Sequence, residues 1–301
     1  MSERFLVTGA LGCIGAWVCR VLADEGVPVV GYDLGENRSR LELVGAGETE
    51  VLRGDVTDRA ALDLVVEERE ITHVIHLAAL LIPLIKANPP HGTAVNVVGT
   101  TNVLDIAKTR GTRVAWASSA AVFSDDDPSP VAHDADGHPK TFYGVHKQAC
   151  EGIARIFWQE EGVPSIGLRP YVVYGPGRDT GLTASPSLAM MAAARGKDFE
   201  IAFGGVCQLQ FAPDAARAFV AAARGAQEGA EVYNLGSAPV QMGDCAAAIE
   251  AAAPGARITV VDGVTLPFPE EYESASLERA LGPLRWTPLD EGVRATIDAY
   301  R

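Results

Sequence analysis

Paired cysteines, an excess of basic residues and long apolar runs are all missing from this 301-residue sequence. Its five cysteines form no CxxC pair, which argues against a disulfide framework or a zinc site and favours a reducing compartment, the cytoplasm. With 25 Lys and Arg against 39 Asp and Glu, the net charge of -14 disfavours nucleic acid and anionic membranes as partners. No apolar run reaches about 18 residues, so we expect no membrane span, and the opening MSERFLVTGA lacks the apolar stretch of a secretory signal.

The remaining composition, 48% apolar and 21% charged, is that of an ordinary globular protein. Strand-like segments are predicted at 5–7, 27–32, 50–53, 72–77, 113–117 and 165–168, and helices at 14–25, 58–69, 94–109 and 143–161. Apolar strands that alternate with helices predict an α/β fold, a Rossmann-type doubly wound parallel sheet covered on both faces.

The rhythm of the pattern changes beyond about residue 175. Helices are predicted there at 185–195, 213–226 and 291–300, with short strands at 231–235 and 257–261. We therefore expect residues 1–174 to form the sheet domain. Residues 175–301 should mainly form a smaller C-terminal substrate-binding lobe, with some chain crossing between the two.

A glycine-rich segment, TGALGCIG, lies between the first predicted strand and the first predicted helix. Gly9 permits a tight turn, Gly12 lets backbone approach a pyrophosphate, and Gly15 lets the helix pack closely on the sheet. The N–H groups at the start of the helix, from Cys13 and Ile14 onward, favour a bound anion. This context predicts a dinucleotide site rather than a plain glycine turn.

Acidic residues at the ends of the next two strands indicate which dinucleotide is bound. Asp33 ends the second strand, where a carboxylate accepts ribose hydroxyls and repels a 2′-phosphate, so NAD is favoured over NADP. Arg38 lies close by in sequence and could soften that preference. Asp55 and Val56 end the third strand, where the adenine is expected to lie, although Asp55 could equally be a turn residue.

A serine, a tyrosine and a lysine form the second constellation. Ser119 follows the fifth strand, and Tyr143 and Lys147 are four residues apart, on one face of a helix. A free tyrosine is a poor base at neutral pH, and a neighbouring ammonium favours its phenolate form. A YxxxK pair alone is a frequent chance match. Together with the serine and the glycine segment, it predicts acid–base chemistry on an alcohol or carbonyl.

At this point the sequence resembles the extended short-chain dehydrogenase/reductase family, the NAD-dependent epimerase/dehydratase group. The resemblance covers nearly the whole chain. It rests on TGALGCIG, Asp33, GDVTD at 54–58, HLAA at 76–79, NVVGTTNVL at 96–104, SSAAVF, YGVHK and LRPYVVYGPG at 168–177.

The resemblance implies a bound NAD, with Ser119, Tyr143 and Lys147 at the catalytic positions. Asn96 matches a position that the family links to a proton path. Segment 77–79 and the neighbourhood of Val172 match stretches that line the cofactor, which adds Leu77, Ala78, Ala79 and Val172 to the expected cofactor residues. The resemblance also implies a homodimer packed through the helices near 94–109 and 143–161.

The C-terminal lobe departs from the family pattern. Nucleotide-sugar members often carry an arginine before an aromatic-rich strand, and here that place holds Cys207. The first of the paired acids expected after that strand is Pro213. A smaller polar substrate is therefore expected, and its candidate contacts are Ser119, Ala120, Arg178, Thr183 and Gln210. Arg178, Thr183 and Gln210 read equally well as loop and strand-surface residues.

The polar loop at 124–140 predicts no metal site. Its acids, Asp125, Asp126 and Asp127, are consecutive and cannot converge on one ion. We expect a solvated loop.

The favoured function is an NAD-dependent oxidoreductase that moves hydride between nicotinamide and a secondary alcohol or ketone of a small hydroxylated or sugar-derived substrate. A nucleotide-sugar 4-epimerase that retains its NAD shares every motif and stays open. A dehydratase is disfavoured because Ala120 and Ala121 stand where an Asp-Glu pair is expected. A non-enzymatic NAD(H) sensor is the remote alternative, since it would not need the complete Ser-Tyr-Lys set.

Overall fold

The computed structural model describes residues 2–225 and 228–301. Its strands are β1 Phe5–Thr8, β2 Val29–Asp33, β3 Glu50–Arg53, β4 His73–His76, β5 Arg113–Ala117, β6 Ser165–Arg169, β7 Val172–Tyr174, β8 Phe199–Ile201, β9 Val206–Phe211, β10 Val232–Asn234, β11 Pro239–Gln241 and β12 Ile258–Val260. Its α-helices are α1 Cys13–Asp24, α2 Ser39–Leu43, α3 Arg59–Glu68, α4 Ile82–Ala87, α5 Pro89–Thr93, α6 Gly99–Arg110, α7 Phe142–Glu161, α8 Ser185–Ala194, α9 Ala212–Arg224, α10 Met242–Ala252, α11 Ala275–Leu281 and α12 Leu289–Asp298. A π-helical segment, Ala94–Val98, joins α5 to α6, and short 3₁₀ turns lie at Ala120–Val122 and Leu182–Ala184.

The central sheet has seven parallel strands in the order β10-β6-β5-β4-β1-β2-β3. Successive side chains of a strand point to opposite faces. Phe5 and Val7 of β1 accordingly pack with α1 and α9, whereas Leu6 packs with α3, α6 and α7. Both faces are thus apolar and covered, which is the arrangement that the alternating pattern predicts. The predicted Rossmann-type α/β fold is confirmed.

The lobes exchange chain at more than one point. Strand β7, which ends at the predicted boundary of 174, pairs with β9 in a three-stranded sheet of the C-terminal lobe. Helix α9 and strand β10, both beyond the boundary, return to the large sheet, where β10 pairs with β6. A single cut at residue 174 therefore separates neither sheet cleanly.

Several predicted elements differ from the observed ones at their ends. The helix expected at 94–109 lies within a longer helical stretch that begins at Pro89, where two prolines occupy the first turn and Asn88 caps it through the amide of His91. The helix expected at 213–226 ends at Arg224, and residue 226 lies outside the described residues. Over residues 2–225 and 228–301, no helix is long and apolar enough to cross a membrane.

Candidate active site

Several predicted site residues lie at or just beyond the carboxyl ends of the adjacent strands β5, β4 and β1, and Asp33 ends the next strand, β2. The chain leaves β1 toward β2 on one side, whereas β4 is followed by β5 on the other. The connections after β1 and β4 therefore lead to opposite sides of the sheet. Open parallel sheets bind their ligands at a switch point of this kind, outside the carboxyl ends of the strands.

The glycine segment is built for close backbone contact. Gly9 has φ +71°, and a Cβ on it would lie 2.7 Å from the amide nitrogen of Ala78, so the loop rests directly against the segment after β4. A Cβ on Gly15 would overlap the carbonyl oxygen of Gly9, which keeps α1 close to the turn. Gly12 precedes α1 in an extended conformation, and no side chain among the described residues caps this helix start. The first N–H groups of α1, beginning at Cys13 and Ile14, are thus left for an anion.

Asp33 lies beside that loop. One carboxylate oxygen accepts the amide of Leu11 at 3.0 Å, and the other accepts the amide of Gly35 at 2.9 Å. The side chain is half-buried at the end of β2, and the amide of Leu11 holds it against the glycine turn. Arg38 turns elsewhere, because its guanidinium donates to the carbonyl oxygens of Gly47 and Thr49.

Asp55 and Val56 lie at the turn after β3. The Asp55 carboxylate accepts the amide of Thr57 at 2.8 Å, which closes an Asx turn. Val56 is buried, and its carbonyl oxygen accepts the side-chain amide of Asn102. Asp55 therefore serves its own turn, the alternative that the sequence left open, and the turn stays beside the tip of β2.

A buried histidine secures the segment Leu77 to Ala79. His76 shares one hydrogen bond with Thr8 at 2.7 Å and one with Thr100 at 3.1 Å. The hydroxyl of Thr8 also accepts the amides of Leu77 and Ala78. Burial, reinforced by the positive charge of Lys147, lowers the pKa of His76 to about 3. The ring is therefore neutral at physiological pH, and its two hydrogen bonds join β4 to β1 and α6.

Asn96 lies in the π-helical segment and is fully buried. Its side-chain oxygen accepts the amide of Leu80 at 2.7 Å, and its side-chain nitrogen donates to the carbonyl oxygen of Leu80 at 3.0 Å. Both polar atoms of this amide are thereby occupied by Leu80, the residue that follows the segment predicted to line the cofactor. Single π-helical turns are often found at functional sites, and here the turn brings Asn96 to that loop.

Lys147 connects β5 to the start of α7. Its ammonium donates to the carbonyl oxygen of Ala117 at 2.5 Å and lies 5.8 Å from the ring centroid of Tyr143. Lys147 is 2% exposed, whereas Tyr143, one helical turn earlier, is half-buried. Ser119, two residues after Ala117, accepts the amide of Ala121 at 3.1 Å. The end of β5 and the first turn of α7 are therefore held together.

Close backbone packing fixes the start of α7. The Thr141 hydroxyl caps the helix by accepting the amide of Gly144 at 3.0 Å. A Cβ on Gly144 would overlap the carbonyl oxygen of Ala121, so only glycine lets the helix approach the turn that follows Ser119. This contact places the turn that follows Ser119 against the first turn of α7, which carries Tyr143.

The expected substrate contacts of the second lobe do not converge. Arg178 donates to the hydroxyl of Thr183 at 3.0 Å, so this pair is brought together. Gln210 is fully buried, and its amide accepts the N–H of Tyr171 and donates to the carbonyl oxygen of Leu235, which leaves no polar atom for a ligand. Ala120 and Val172 are buried as well.

A family model, NAD dependent epimerase/dehydratase, matches residues 5–236. The chain belongs to this family. The resemblance drawn from the sequence motifs is thus confirmed, and so is NAD as the cofactor.

Curated relatives within the family are matched over part of their length. The chain is 33% identical over 182 residues to UDP-glucuronate 4-epimerase 3 of Arabidopsis thaliana, covering 57% of this chain and 42% of the relative. It is 32% identical over 185 residues to a probable UDP-glucuronate 4-epimerase of Rhizobium meliloti, covering 58% and 54%. The chain spans about half the length of these relatives.

Solved structures are matched over nearly the whole chain. An L-threonine dehydrogenase from Clostridium difficile superposes with a TM-score of 0.85 at 21% identity, covering 99% of this chain and 98% of that one. A UDP-glucose 4-epimerase of Thermus thermophilus in complex with NAD gives 0.83 at 23% identity, covering 99% of both. A GalE-like L-threonine dehydrogenase from Cupriavidus necator gives 0.84 at 25% identity, covering 99% and 100%.

The site fits the family's cofactor. The glycines at 9 and 15 have no room for side chains, and the uncapped start of α1 suits a pyrophosphate. Asp33 stands where ribose hydroxyls would be received. Gly9, Gly12, Cys13, Ile14, Gly15 and Asp33 would hold the dinucleotide, which supplies an acceptor for hydride.

Arg40 is a residue of this region that the sequence did not single out. Its guanidinium donates to the carbonyl oxygen of Leu11 in the glycine segment at 2.9 Å and pairs with Asp179 of the second lobe at 2.5 Å. Trp17 of α1 donates to the carbonyl oxygen of Pro176 at 2.9 Å. The segment from Pro176 to Asp179 is thereby connected to the glycine segment and to α1. These partners lie far apart in sequence, so no local pattern could have revealed them.

Proposed function

We propose that the protein is an NAD-dependent oxidoreductase that acts on a secondary alcohol of a small hydroxylated or sugar-derived substrate. The observation that carries this proposal is the position of Lys147, which is anchored on Ala117 of β5 and lies beside the Tyr143 ring. The anchor links the serine-bearing strand end to the tyrosine-bearing helix. The proposed oxidation needs both residues, because the serine holds the substrate oxygen and the tyrosine accepts its proton.

Each residue has one task in this proposal. Tyr143 accepts the proton of the substrate hydroxyl as the general base. Lys147 holds a cation beside the Tyr143 ring from a buried position, and Ser119 orients the substrate oxygen by a hydrogen bond. When bound, NAD supplies the acceptor for the hydride that leaves the substrate carbon. In the reverse direction Tyr143 returns the proton.

The charge distribution supports a substrate without a nucleotide. Cys207 stands where an arginine would meet a diphosphate, and it is buried. Burial raises the pKa of its thiol to about 12, so it offers no charge of either sign. Arg217 is paired with Asp214, and Arg178 is bonded to Thr183. Arg178 keeps its charge in this bond, but no arginine stands at the place of Cys207, and the chain carries a net charge of -14.

The second candidate is an epimerase that keeps its NAD through the catalytic cycle. The curated relatives at 32–33% identity carry the name UDP-glucuronate 4-epimerase, which supports it. The link from Arg40 to Asp179 supports it too, because it ties the second lobe over the cofactor loop. An NAD(H) sensor stays the remote third possibility.

The assembly and location are proposed as a homodimer in the cytoplasm. One face of α7 exposes Phe142, Val145 and Ile156, whose spacing places them in a row along the helix. An apolar row of this kind suits a second copy of the chain. All five cysteines are free thiols, as a reducing compartment would leave them.

Turnover with added NAD tests the proposal. The protein would be offered sugars, sugar acids, L-threonine, UDP-glucose and UDP-glucuronate, with Tyr143→Phe as the matched inactive control. Accumulation of free NADH supports the oxidoreductase. A changed UDP-sugar without free NADH supports the epimerase, and no turnover by any substrate favours the sensor.

Calorimetry with UDP against the NAD-loaded protein separates the first two further. We expect weak binding or none. A dissociation constant near or below about 10 μM, roughly 7 kcal/mol of binding free energy, would move the epimerase to first place.

A further inference from the structure

Glu151 lies on the same face of α7 as the two residues proposed for proton transfer. It follows Lys147 by four positions and Tyr143 by eight, so the three side chains form one row along the helix. Its carboxylate accepts the hydroxyl of Ser118 at 2.5 Å. It also receives Arg169 through two parallel bonds of 2.7 Å each. The carboxylate is thus satisfied on both oxygens.

Two successive residues at the end of β5 are therefore held by two successive turns of α7. Lys147 binds the carbonyl oxygen of Ala117, and Glu151 binds the side chain of Ser118. Ser119 is the next residue along the chain. Both of its predecessors are thus anchored on α7, the helix that carries Tyr143.

Arg169 extends this anchoring away from the helix. Its guanidinium donates to the carbonyl oxygen of His133 at 2.6 Å and to the side chain of Asn234 at 3.2 Å. It also lies 5.0 Å over the ring of Phe123. Asn234 in turn donates to the carbonyl oxygen of Val131 at 3.0 Å. One buried ion pair thereby connects α7, the end of β5, the 131–133 loop and β10.

The loop reached in this way contacts the second lobe. Val131 donates its amide to the carbonyl oxygen of Glu271 and accepts the amide of Glu273. Between these two residues, Tyr272 donates its hydroxyl to the carbonyl oxygen of Ala120 at 3.3 Å. The C-terminal lobe is thus coupled to the turn after Ser119 from two sides.

We infer that Glu151 is a positioning residue, which with Arg169 sets the place of Ser119 relative to Tyr143. This inference rests on the proposed function, because it presumes that Ser119 orients the substrate oxygen. The pair makes no contact with substrate in this role. Its effect is geometric, and a misplacement of about 1 Å at a reacting group can cost 10²-fold in rate.

Ser118→Ala is the sharpest variant. It removes the bond to Glu151 while leaving the pair of Glu151 with Arg169 intact, so no buried charge loses its partner. The chain also offers a matched control in Ser165 at the amino end of β6. Ser165 is as buried as Ser118, and its hydroxyl accepts only a long bond of 3.4 Å from Trp116. Ser165→Ala is therefore the same chemical change at the opposite edge of the sheet.

We expect Ser118→Ala to lower kcat about tenfold, with the KM of the substrate and the dissociation constant of NAD each within about twofold of wild type. Ser165→Ala should leave all three unchanged. Hydrogen exchange gives a readout without turnover, and the amides of residues 118–122 should exchange faster in Ser118→Ala than in Ser165→Ala. Glu151→Gln keeps an acceptor for Ser118 but removes the charge that pairs with Arg169, so it should also lower kcat. Because the two substitutions disturb the same anchor, the loss of kcat in the double variant should be smaller than the product of the two single losses.

The outcomes separate cleanly. Equal kcat and equal exchange in the two serine variants would overturn the inference. If Ser118→Ala does not fold, the same comparison of kcat and exchange is made with Ser118→Cys, whose thiol donates only weakly to Glu151, and wild-type values there would overturn the inference. If wild-type protein turns over no substrate, the proposed function fails, and exchange at 118–122 alone then decides whether the pair positions this segment.

Discussion

The two halves of the molecule use their polar groups differently. Around the large sheet, polar side chains bind backbone near the carboxyl ends of the strands: Asp33 at the end of β2 accepts the amide of Leu11, and Lys147 of α7 donates to the carbonyl oxygen of Ala117. In the C-terminal lobe, polar side chains form hydrogen bonds within the lobe and stabilise its fold. Gln208 binds Tyr272 through both its amide atoms, and Asp214 accepts the amide and the hydroxyl of Thr287.

This difference indicates which side chains are available to select the substrate. A side chain whose donors and acceptors are all satisfied inside the lobe has none to offer a substrate. Few buried polar groups of the C-terminal lobe therefore remain for recognition. We expect substrate choice to depend on the shape of the space outside the carboxyl ends of the strands, and on polar residues of the second lobe such as Arg178 and Thr183.

The largest effect is expected from Tyr143→Phe, on the sheet side of the comparison. The change removes the transferable proton and little else, so kcat should fall about 10²–10⁴-fold while NAD affinity stays nearly intact. Steady-state kinetics and calorimetry with NAD measure the two quantities.

Lys147→Met serves as the comparison variant, because it should weaken both turnover and NAD binding. Retention of more than about a tenth of the wild-type rate by Tyr143→Phe would contradict the role given to Tyr143.

The second largest effect is expected from Gln210→Ala, on the lobe side. It would leave the amide of Tyr171 and the carbonyl of Leu235 buried without partners, at a cost of about 1–3 kcal/mol each in the free energy of unfolding. Denaturant unfolding measures this loss. Gln241→Ala, at an exposed position at the end of β11, is the control and should change stability little.

The KM of Gln210→Ala sharpens the contrast between the halves. We expect it to match the wild-type KM, because the side chain faces no ligand. A raised KM with unchanged stability would restore Gln210 as a substrate residue.

How much of this could be predicted from sequence depended on whether a signal was local. The apolar runs of β1, β4, β5 and β6 predicted these largely buried strands, and their alternation with helices predicted the parallel sheet. The edge strand β3 is exposed at both ends, and its apolar pattern is weaker. Strands β7, β8 and β11 were not predicted. Each is only three residues long, and their pairing partners lie far away in the chain. The π-helical turn at Asn96 likewise has no local signal.

The candidate site follows the same rule. The glycine segment, Asp33 and the pair of Tyr143 with Lys147 are short-range patterns, and their roles stay predictions that the geometry now makes concrete. Pairs such as Thr8 with His76, or Glu151 with Arg169, join residues that are 68 and 18 positions apart. Only the fold brings these residues together.

The third prediction returns to the sheet side with Asp33→Asn. The asparagine keeps an acceptor for the amide of Leu11 but removes the negative charge, so the preference for NAD over NADP should narrow about tenfold. Competition binding of the two dinucleotides measures it. Arg38 cannot compensate, since its guanidinium is held by Gly47 and Thr49.

Asp33→Ala is the companion variant and should weaken NAD binding as well, because the loop loses its anchor. Wild-type protein that binds NADP as tightly as NAD would show that Asp33 does not read the ribose.

The smallest effect is expected at His138. This residue lies in the loop between β5 and α7, which contacts the C-terminal lobe through Val131. Its ring bonds Asp127 at 2.6 Å, and this bond, aided by the charges of Asp136 and Asp126, raises the pKa of His138 above its usual value. Burial favours protonation of Asp127, but the bonds from His138 and from the amide of Ser124 hold its pKa below the usual range.

The sign of the pH dependence follows from the raised pKa of His138. The ion pair stabilises the loop fully below the unfolded pKa of about 6.5, and its contribution is lost as pH rises through the higher folded value. Residues 124–138 should therefore exchange their amide hydrogens somewhat faster at about pH 9 than at about pH 6, after correction for intrinsic rates. The effect is small because the neutral ring can still donate to Asp127, and because the histidine side chain is 76% exposed. His138→Gln should abolish the difference, and an unchanged difference in that variant would assign the pH dependence to another group.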